Sequence, residues 1–342
     1  MELMLKPEIF TYTKLSETEF KKYQEALLPV VVPLEQSPAW GNFNNTVAGR
    51  EFLGSFSYTN ASGKLVALAS AILYSDRGRS WIWIKHGPLF AHEPNTDTIK
   101  NMCSTLKEQF QTIQSIQPLF IRLSMSQGID KLRPPFEHTM YDETVIVDLE
   151  NTEDEILAGM SQSGRAGIRK SAKLGVTVRE ITQDRSAFFA ENCYPILRET
   201  GARDGFGIHP QTLYTSMLKE LKNEARLYVA TDKGKVEAWA ITTEYNSQSM
   251  YYYGGSSAHA RNTFAAYALH WEVIKEMRRR GNKTYDFMGI AGKNFEGLKN
   301  VTQFKIKFSK NIIKIPFTYD LPLQTLKYNL LSFILRAKRI LK

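Results

Sequence analysis

Lys305 is a candidate in this sequence for a side chain that assists a reaction. It stands between Phe304 and Ile306 in the segment FKIKF, whose alternation of apolar and basic residues predicts a β-strand. A lysine held at a fixed point can stabilise negative charge that develops on a reacting oxygen. The alternative is a solvent-facing strand lysine beside Lys307, and the residues alone leave both interpretations open.

Four further side chains have the chemistry to hold a phosphate or a sugar. Arg203 offers a planar guanidinium that matches phosphate oxygens. Hydroxyl donors on stiff rings are offered by Tyr214, Tyr252 and Tyr253. A loop arginine is otherwise a solvated charge, and a tyrosine run in a strand is often half buried in a core. Asp286, at the end of an apolar strand, more often fixes a loop through backbone hydrogen bonds than it transfers a proton.

A series of basic residues is a candidate for contacts with phosphate groups. It falls at helical spacing on one broad face and consists of Arg165, Arg169, Lys170 and Lys173. Such a stripe can bind the phosphates of a nucleic acid or a diphosphate, whereas the alternative is a solvated helix face. The whole chain has 44 Lys and Arg against 35 Asp and Glu, a net charge of +9, which suits either an anionic partner or a well-solvated surface.

Several kinds of active site lack support in the sequence. There is no Gly-x-Ser-x-Gly motif, and residues 289–293 (GIAGK) lack the glycine spacing and the Ser or Thr of a Walker loop. Cys103 and Cys193 are far apart and the histidines are scattered, so we expect neither a disulfide nor a metal.

The sequence shows no secretory signal and no apolar run of about 18 residues. We therefore expect a cytoplasmic protein.

The predicted elements occur in the same order in the two halves of the chain. Residues 17–123 read as a helix, two hairpin strands, a Trp-rich strand, a helix and a strand. Residues 185–287 read as two helices, three strands, a helix and a strand. The length of 342 residues fits two domains. We predict a first domain at residues 1–149, completed by residues 317–342, and a second at residues 150–316.

Residues 251–308 have the order of elements with which acyltransferases of the GNAT type build a donor site. In those enzymes an Arg/Gln-x-x-Gly-x-Gly/Ala loop at a helix N-terminus cradles the pyrophosphate of coenzyme A. The equivalent segment here, residues 261–266, reads RNTFAA and has Phe264 in place of the first glycine. This argues against coenzyme A as the donor, although a core-facing phenylalanine in an ordinary helix at residues 262–280 would look the same.

Seven short motifs in a fixed order resemble the FemABX family of non-ribosomal peptidyltransferases. They are QSPAWG at 36–41, HGP at 86–88, RAGIRKSAKLGV at 165–176, RDGF at 203–206 with Tyr214, YYYGGSS at 251–257, YDFMG at 285–289 and FK at 304–305 with Phe308. The resemblance covers nearly the whole chain. It implies an α/β fold with mixed sheets, in which two tandem GNAT-like domains are separated by a cleft and a C-terminal helix returns to the first domain. Ser124 and Met125 stand where many relatives have Asp-Pro, and the segment at 149–180 is too short for the coiled-coil arm of some members.

The resemblance also implies an aminoacyltransferase of peptidoglycan biosynthesis that needs no cofactor. Family members transfer an amino acid from aminoacyl-tRNA to the amino group of a stem peptide, so the expected partners are aminoacyl-tRNA and a UDP-linked or lipid-linked precursor. Lys305 would be catalytic, Phe304 and Trp40 would join the arginine and tyrosines above in binding substrate, and the basic series would contact tRNA or precursor phosphates. The second domain would bind the tRNA and the first the precursor. The alternatives are an acyl-CoA-dependent N-acyltransferase and a non-catalytic RNA-binding protein.

The last segment, residues 321–342, is predicted to be helical. Its apolar stripe consists of Leu323, Leu326, Leu330, Ile334 and Leu341. The basic residues beside the stripe are Lys327, Arg336, Lys338, Arg339 and Lys342. We expect the stripe to dock onto the first domain with the basic residues outward, where they could contact the anionic inner face of the membrane.

Overall fold

The structure is a computed structural model that describes residues 8–136, 140–204, 207–292 and 299–340. The chain divides into two compact units. Unit 1 comprises Met1–Thr139 and Pro316–Lys342, and unit 2 comprises Met140–Ile315. None of the described helices combines the length and the apolar character that are needed to span a bilayer.

The helices and strands alternate along both units. Unit 1 begins with β1 (Thr11–Leu15), α1 (Glu17–Ala26), a 3-10 turn (Leu34–Gln36), α2 (Pro38–Asn45), β2 (Arg50–Thr59), β3 (Leu65–Asp76), β4 (Arg79–Ile84), β5 (Leu89–Phe90), α3 (Thr96–Phe110) and β6 (Phe120–Met125). Unit 2 contains β7 (Glu143–Asp148), α4 (Glu153–Gly159), α5 (Gln162–Lys173), β8 (Thr177–Ile181), α6 (Arg185–Phe188), a π-helical turn (Phe189–Cys193), α7 (Tyr194–Asp204), α8 (Gln211–Glu220), a 3-10 turn (Lys222–Glu224), β9 (Ala225–Asp232), β10 (Lys235–Tyr245), β11 (Gln248–Ser256), α9 (Ala260–Thr263), α10 (Ala265–Arg279), β12 (Thr284–Ile290), α11 (Lys299–Lys305) and β13 (Ile312–Lys314). Unit 1 ends with β14 (Phe317–Pro322) and α12 (Thr325–Ile340).

Unit 1 is built on a seven-stranded sheet against which α3 packs. The strand order is β1-β2-β3-β4-β6-β14, and β5 pairs with β3. Every pair is antiparallel except β4 with β6, which α3 joins as a crossover helix. The helix buries Ile99, Met102, Leu106 and Phe110 at helical spacing, and these side chains form a core with the apolar residues of the sheet.

Unit 2 repeats this plan. Its strand order is β13-β7-β12-β11-β10-β9-β8, and among its described strands only β11 and β12 pair in parallel, joined by α10. The buried face of α10 includes Leu269, Val273, Ile274 and Met277. The order β8-β9-β10-β11-β12-β7 matches β1-β2-β3-β4-β6-β14 strand for strand. The predicted α/β fold with mixed sheets and two tandem repeats is confirmed.

The first boundary between the units lies after residue 139 rather than after residue 149. Residues 140–149 contain β7, which pairs with β12 and β13 and therefore belongs to the sheet of unit 2. In that sheet β7 takes the place that β14 takes in unit 1. The second boundary, after residue 315, is one residue earlier than predicted.

Three predicted elements have a different structure. The segment FKIKF is not a strand, because Phe304 and Lys305 end α11 and the next residues form a turn. The helix predicted at residues 262–280 is two helices, because Phe264 lies between α9 and α10 in the left-handed conformation, with φ +57°. Residues 321–342 begin within β14 and become helical at Thr325.

A buried ion pair joins β6, β14 and α12 in unit 1. Arg122 lies opposite Asp320 in the ladder of β6 and β14. Its Nε is 2.7 Å from Asp320 Oδ1, and its Nη2 is 3.0 Å from Oδ2. The Tyr328 hydroxyl of α12 donates a hydrogen bond of 2.9 Å to the same Oδ2. All three side chains are buried.

The side of α12 that packs on unit 1 is not the predicted one. Tyr328, Leu331 and Leu335 contact a small core formed with Leu119, Phe120 and Phe136. The predicted stripe is wrong for Leu326, Leu330 and Ile334, whose side chains are exposed. The sequence offers apolar residues on two sides of this helix, and only the tertiary contacts decide which side is buried.

Candidate active site

The two parallel strands of unit 2 run side by side only at their start. The ladder joins residues 248–250 of β11 to residues 284–286 of β12, and among the described residues the pairing ends there, although both strands continue. Each strand also has a β-bulge, at Tyr252 in β11 and just before Gly289 in β12. Met288 has φ +58° in the second bulge. Bulges bend and twist a strand, and we call the place where the two strands part the strand opening.

The ammonium group of Lys305 lies at the strand opening. Its Nζ donates hydrogen bonds to the carbonyl oxygens of Gly289 (2.6 Å) and Met288 (3.3 Å) in the bulge of β12. It also lies 6.0 Å from the ring centroid of Tyr251 in β11. Burial, opposed in part by the charge of Asp286, lowers the pKa of Lys305 from 10.5 to about 8. Lys305 therefore bridges the two strands just beyond their last ladder pair, and it reaches this position from the end of α11.

Asp286 fixes the bulge that supplies these carbonyl groups. It accepts a hydrogen bond of 2.5 Å from the Met288 backbone N–H and another from the Thr144 hydroxyl of β7. These contacts are the structural role that the sequence favours over proton transfer. Asp286 thereby holds the backbone to which the Lys305 ammonium is bonded.

A cluster of rings includes the ring of Tyr251, over which the Lys305 ammonium lies. It consists of Tyr251, His270, Phe287, Phe304 and Phe308. His270 lies 4.5 Å from the Tyr251 ring, and its Nδ1 is 3.1 Å from the Tyr285 hydroxyl. Burial, with a smaller effect from the charge on Lys305, lowers the pKa of His270 to about 3, so its ring is neutral. The sequence analysis includes Tyr251 in the motif at 251–257 without giving it a role, and it does not name His270. The available signal for His270 was a histidine within the apolar face of a predicted helix.

A second group of predicted residues meets at the far end of β11. Arg203 in α7 donates from Nη1 to the Ser256 carbonyl at 3.0 Å. Tyr214 is buried, and its hydroxyl accepts a hydrogen bond of 3.3 Å from the His209 N–H. The Tyr214 ring meets the Tyr253 ring edge to face at 4.8 Å, and Tyr252 lies against Tyr253. The structure therefore brings these four residues together, with Tyr214 inside the core and Arg203 at the edge of the group.

The basic residues of α5 differ in their contacts. Arg165 points back to the C-terminal end of α4, where its Nη1 donates to the Met160 and Ala158 carbonyl groups. Lys170 is exposed and lies over the Phe264 ring, 5.1 Å from its centroid. Arg169 and Lys173 are also exposed. Lys170 is thus the member of the series that the structure places at the first turn of α10.

Lys307 brings a second positive charge to the same place. Its Nζ donates a hydrogen bond of 2.9 Å to the hydroxyl of Tyr267 in the first turn of α10. Helix α5 approaches closely there because Gly167 has no side chain. A Cβ on Gly167 would lie 2.6 Å from the Tyr267 ring. The surface formed by Phe264, Tyr267, Lys170 and Lys307, here called the α10 basic surface, has the charge to bind a phosphate group.

Trp40, the predicted site residue of unit 1, is buried in α2. The Lys85 ammonium lies 5.5 Å from its ring centroid and 3.2 Å from the carboxylate of Glu35. Burial alone would raise the pKa of Glu35, but the positive charges of Lys85 and His86 outweigh this effect and lower it to about 2. Trp40 therefore belongs to a charged cluster of unit 1, while the other predicted site residues lie in unit 2.

Cysteine and metal chemistry find no support in the part of the chain that the structure describes. No group of three or more His, Cys, Asp or Glu side chains there is arranged to hold a metal ion. Both cysteines are buried, and burial raises the pKa of Cys103 to about 12 and that of Cys193 still further. A thiol with a raised pKa is a poor nucleophile.

A family model matches more than half of the chain. The model is that of the FemAB family, and it matches residues 136–237 and 231–336. No curated protein matches at a significant level of sequence similarity.

Solved structures with low sequence identity share the fold. The crystal structure of FemX has a TM-score of 0.74 and 15% identity, with 94% of this chain and 100% of the FemX chain covered. The C-terminal domain of a putative lysylphosphatidylglycerol synthetase from Agrobacterium fabrum has a TM-score of 0.53 and 15% identity, with 95% of this chain and 98% of that domain covered. A tandem GNAT protein from the clavulanic acid biosynthesis pathway has a TM-score of 0.50 and 11% identity, with 92% of this chain and 98% of that protein chain covered. The two units are therefore tandem GNAT-like domains.

Proposed function

This chain belongs to the FemAB family, and from this premise we propose that it transfers an amino acid from aminoacyl-tRNA to the amino group of a peptidoglycan stem peptide. Family membership supports an acyltransferase of peptide-bridge formation in general. The observation that carries the finer proposal is the buried ammonium of Lys305 at the strand opening of unit 2. The reaction would take place in the cytoplasm.

The proposed reaction is a direct aminolysis of an ester. The acceptor nitrogen attacks the carbonyl carbon, so that a C–N bond forms and the C–O bond to the terminal ribose of the tRNA breaks. The proton lost by the amine ends on the ribose oxygen. The ester is already activated, and the enzyme has to align two substrates and stabilise the oxyanion of the tetrahedral intermediate.

The hydrogen bonds of Lys305 suit it for the oxyanion. An ammonium group has three N–H donors, and two of them are directed to the Gly289 and Met288 carbonyl groups. Among the described residues no third acceptor lies within hydrogen-bond distance of Nζ, and we assign the third donor to a substrate oxygen. A neutral amine would have only two donors, both of which the carbonyl groups would take. We therefore assign the ammonium form to catalysis.

The α10 basic surface supports tRNA rather than coenzyme A as the donor. Phe264 occupies the left-handed position that a glycine would fill in a coenzyme A loop, and the Lys170 ammonium lies over its ring. A bulky side chain at this point hinders the close approach of a pyrophosphate to the backbone. The two lysines still offer charge for the phosphates of an acceptor stem. Tight binding of coenzyme A in a calorimeter would favour an acyl-CoA enzyme instead.

Unit 1 is assigned to the precursor and unit 2 to the tRNA. In unit 1 the strand that corresponds to β11 is β4, which ends at Ile84. Beyond the end of β4 the Ser124 N–H of β6 donates a hydrogen bond of 2.8 Å to the Gly87 carbonyl. Unit 1 therefore keeps a backbone hydrogen bond at the place that corresponds to the strand opening of unit 2. This difference supports a donor site in unit 2 alone.

Mass spectrometry tests the reaction directly. The protein is incubated with a mixture of charged tRNAs and either a UDP-linked or a lipid-linked pentapeptide precursor. We expect a gain of one amino acid residue in one of the precursors, and loss of this product after RNase treatment. No gain with either precursor, or a gain that RNase leaves unchanged, would contradict the proposal. A protein that binds RNA without catalysis would give no product.

Binding of tRNA should depend on Lys170. Each phosphate that a lysine neutralises contributes about 0.7 to 0.9 to the slope of log affinity against log salt concentration. We expect Lys170→Ala to weaken tRNA binding and to lower that slope by roughly this amount, measured by filter binding over a salt series. Lys219→Ala is the control, because Lys219 is an exposed lysine of α8 outside the α10 basic surface. Equal changes in both variants would contradict a local contact.

A further inference from the structure

The C-terminal helix α12 presents an apolar face that no other part of the described chain covers. Four large apolar side chains recur at positions i, i+4, i+7 and i+8, which is the spacing of one helical face. Their exposed fractions are 86% for Leu326, 62% for Leu330, 72% for Phe333 and 41% for Ile334. The opposite side, with Tyr328, Leu331 and Leu335, already packs on unit 1. The fold therefore uses one apolar side of α12 and leaves the other, here called the outer face, in solvent.

The charge of this segment has a single sign. Residues 321–342 include no acidic residue and five basic ones, namely Lys327, Arg336, Lys338, Arg339 and Lys342. Lys327 is exposed and directly follows Leu326 of the outer face. A basic segment with an outward apolar face matches an anionic bilayer, which accepts apolar side chains between its headgroups and attracts Lys and Arg. The same face of a second copy would bring like charges together.

We propose that the outer face of α12 docks the protein onto the surface of an anionic phospholipid bilayer. The helix would lie along the membrane plane, with the outer face among the acyl chains and the opposite side still packed on unit 1. This arrangement reverses the sequence-based expectation, in which the apolar stripe is buried and only the basic residues face the lipid. The proposal concerns the surface of unit 1 and holds whether or not the chain transfers amino acids.

Vesicle flotation with the full-length protein tests the docking surface. The vesicles contain equal parts of phosphatidylglycerol and phosphatidylcholine. We expect the unmodified protein to float with them and to be partly released by high salt, because salt screens the attraction of the basic residues. The double variant Leu330→Gln/Phe333→Gln should bind at least about tenfold more weakly, since two large apolar side chains no longer leave water. Both side chains are exposed, so the variant should keep the melting temperature.

The control is Ile312→Gln/Ile313→Gln, which removes two exposed apolar side chains from β13 of unit 2. This variant should float like the unmodified protein. Failure of the unmodified protein to bind, equal binding to vesicles of phosphatidylcholine alone, or equal losses in the two double variants would each overturn the proposal. A dimer in light scattering that Leu330→Gln/Phe333→Gln abolishes would also overturn it, because the outer face would then be an interface between copies. Transfer to a soluble precursor is a separate readout, and its failure would leave the flotation result interpretable.

Discussion

Replacement of Lys305 by methionine is expected to lower the rate of aminoacyl transfer by about 100- to 1000-fold, the usual cost of removing one preorganised oxyanion donor. Methionine has a similar length but neither charge nor donor. The loss should appear in kcat more than in KM, because the oxyanion exists only in the transition state and the intermediate. Single-turnover assays with preformed aminoacyl-tRNA would measure it.

The stability of the variant provides the first control. Burial lowers the pKa of Lys305 to about 8, so at pH 7 the ammonium is still the main form but is less stable in the folded protein than in the unfolded chain. Between pH 8 and the ordinary lysine pKa the unfolded chain binds more protons at this group than the folded protein does. The contribution of Lys305 to the free energy of unfolding therefore rises with pH over this range. Removal of the ammonium should therefore leave the melting temperature at pH 7 unchanged or raise it. A large fall in melting temperature would mean that lost activity reports unfolding.

The pH dependence provides the second control. The ammonium is present below pH 8 and is lost as the pH rises through the pKa of about 8. The activity ratio of the wild-type protein to Lys305→Met should therefore fall from pH 7 to pH 10. A ratio is used because the acceptor amine becomes a better nucleophile over the same range in both proteins. A ratio that rises with pH would contradict the oxyanion role and would indicate that neutral Lys305 acts as a base.

The repeated fold was predictable because its signals are local. Hairpin strands, an amphipathic crossover helix and a following strand each leave a pattern within about twenty residues, and the pattern occurs twice. The place of β7 was not predictable, because its partners β12 and β13 lie more than a hundred residues away in the chain. Its own pattern fits either sheet equally well. The misplaced boundary follows from this ambiguity.

The sequence singles out Phe304 and Lys305 but does not predict their geometry. Phe304 and Phe308 are four residues apart, and this spacing places two side chains on the same face in a strand and in a helix alike. FKIKF therefore suits both patterns. In the structure the helical end of α11 brings Lys305 to the bulge of β12. Phe264 in the left-handed conformation carries no sequence signal, because that conformation is usually marked by a glycine or asparagine. The burial of His270 depends on contacts from several elements and is likewise absent from any local pattern.

Removal of the Asp320 carboxylate is expected to give the largest loss of stability. In Asp320→Ala the Arg122 guanidinium would remain buried among Trp83, Phe120 and Phe136 and would lose both hydrogen bonds to the Asp320 carboxylate. Leaving one half of a buried ion pair typically costs about 3 to 5 kcal/mol, a large part of the stability of an ordinary domain. Hydrogen exchange read by mass spectrometry would measure the effect, because peptides from β6 and β14 report on unit 1 separately from unit 2.

Two further variants separate the charge from the packing. Arg122→Met/Asp320→Leu removes both charges and should recover most of the lost stability, since a buried ion pair replaced by apolar groups is often neutral. Tyr328→Phe removes only the hydroxyl that joins α12 to Asp320 and should cost about 1 kcal/mol. If the double variant were as unstable as Asp320→Ala, shape rather than charge would explain the loss. Because Asp320 binds both β6 and α12, its removal should also loosen α12, which faster exchange in residues 325–335 would reveal.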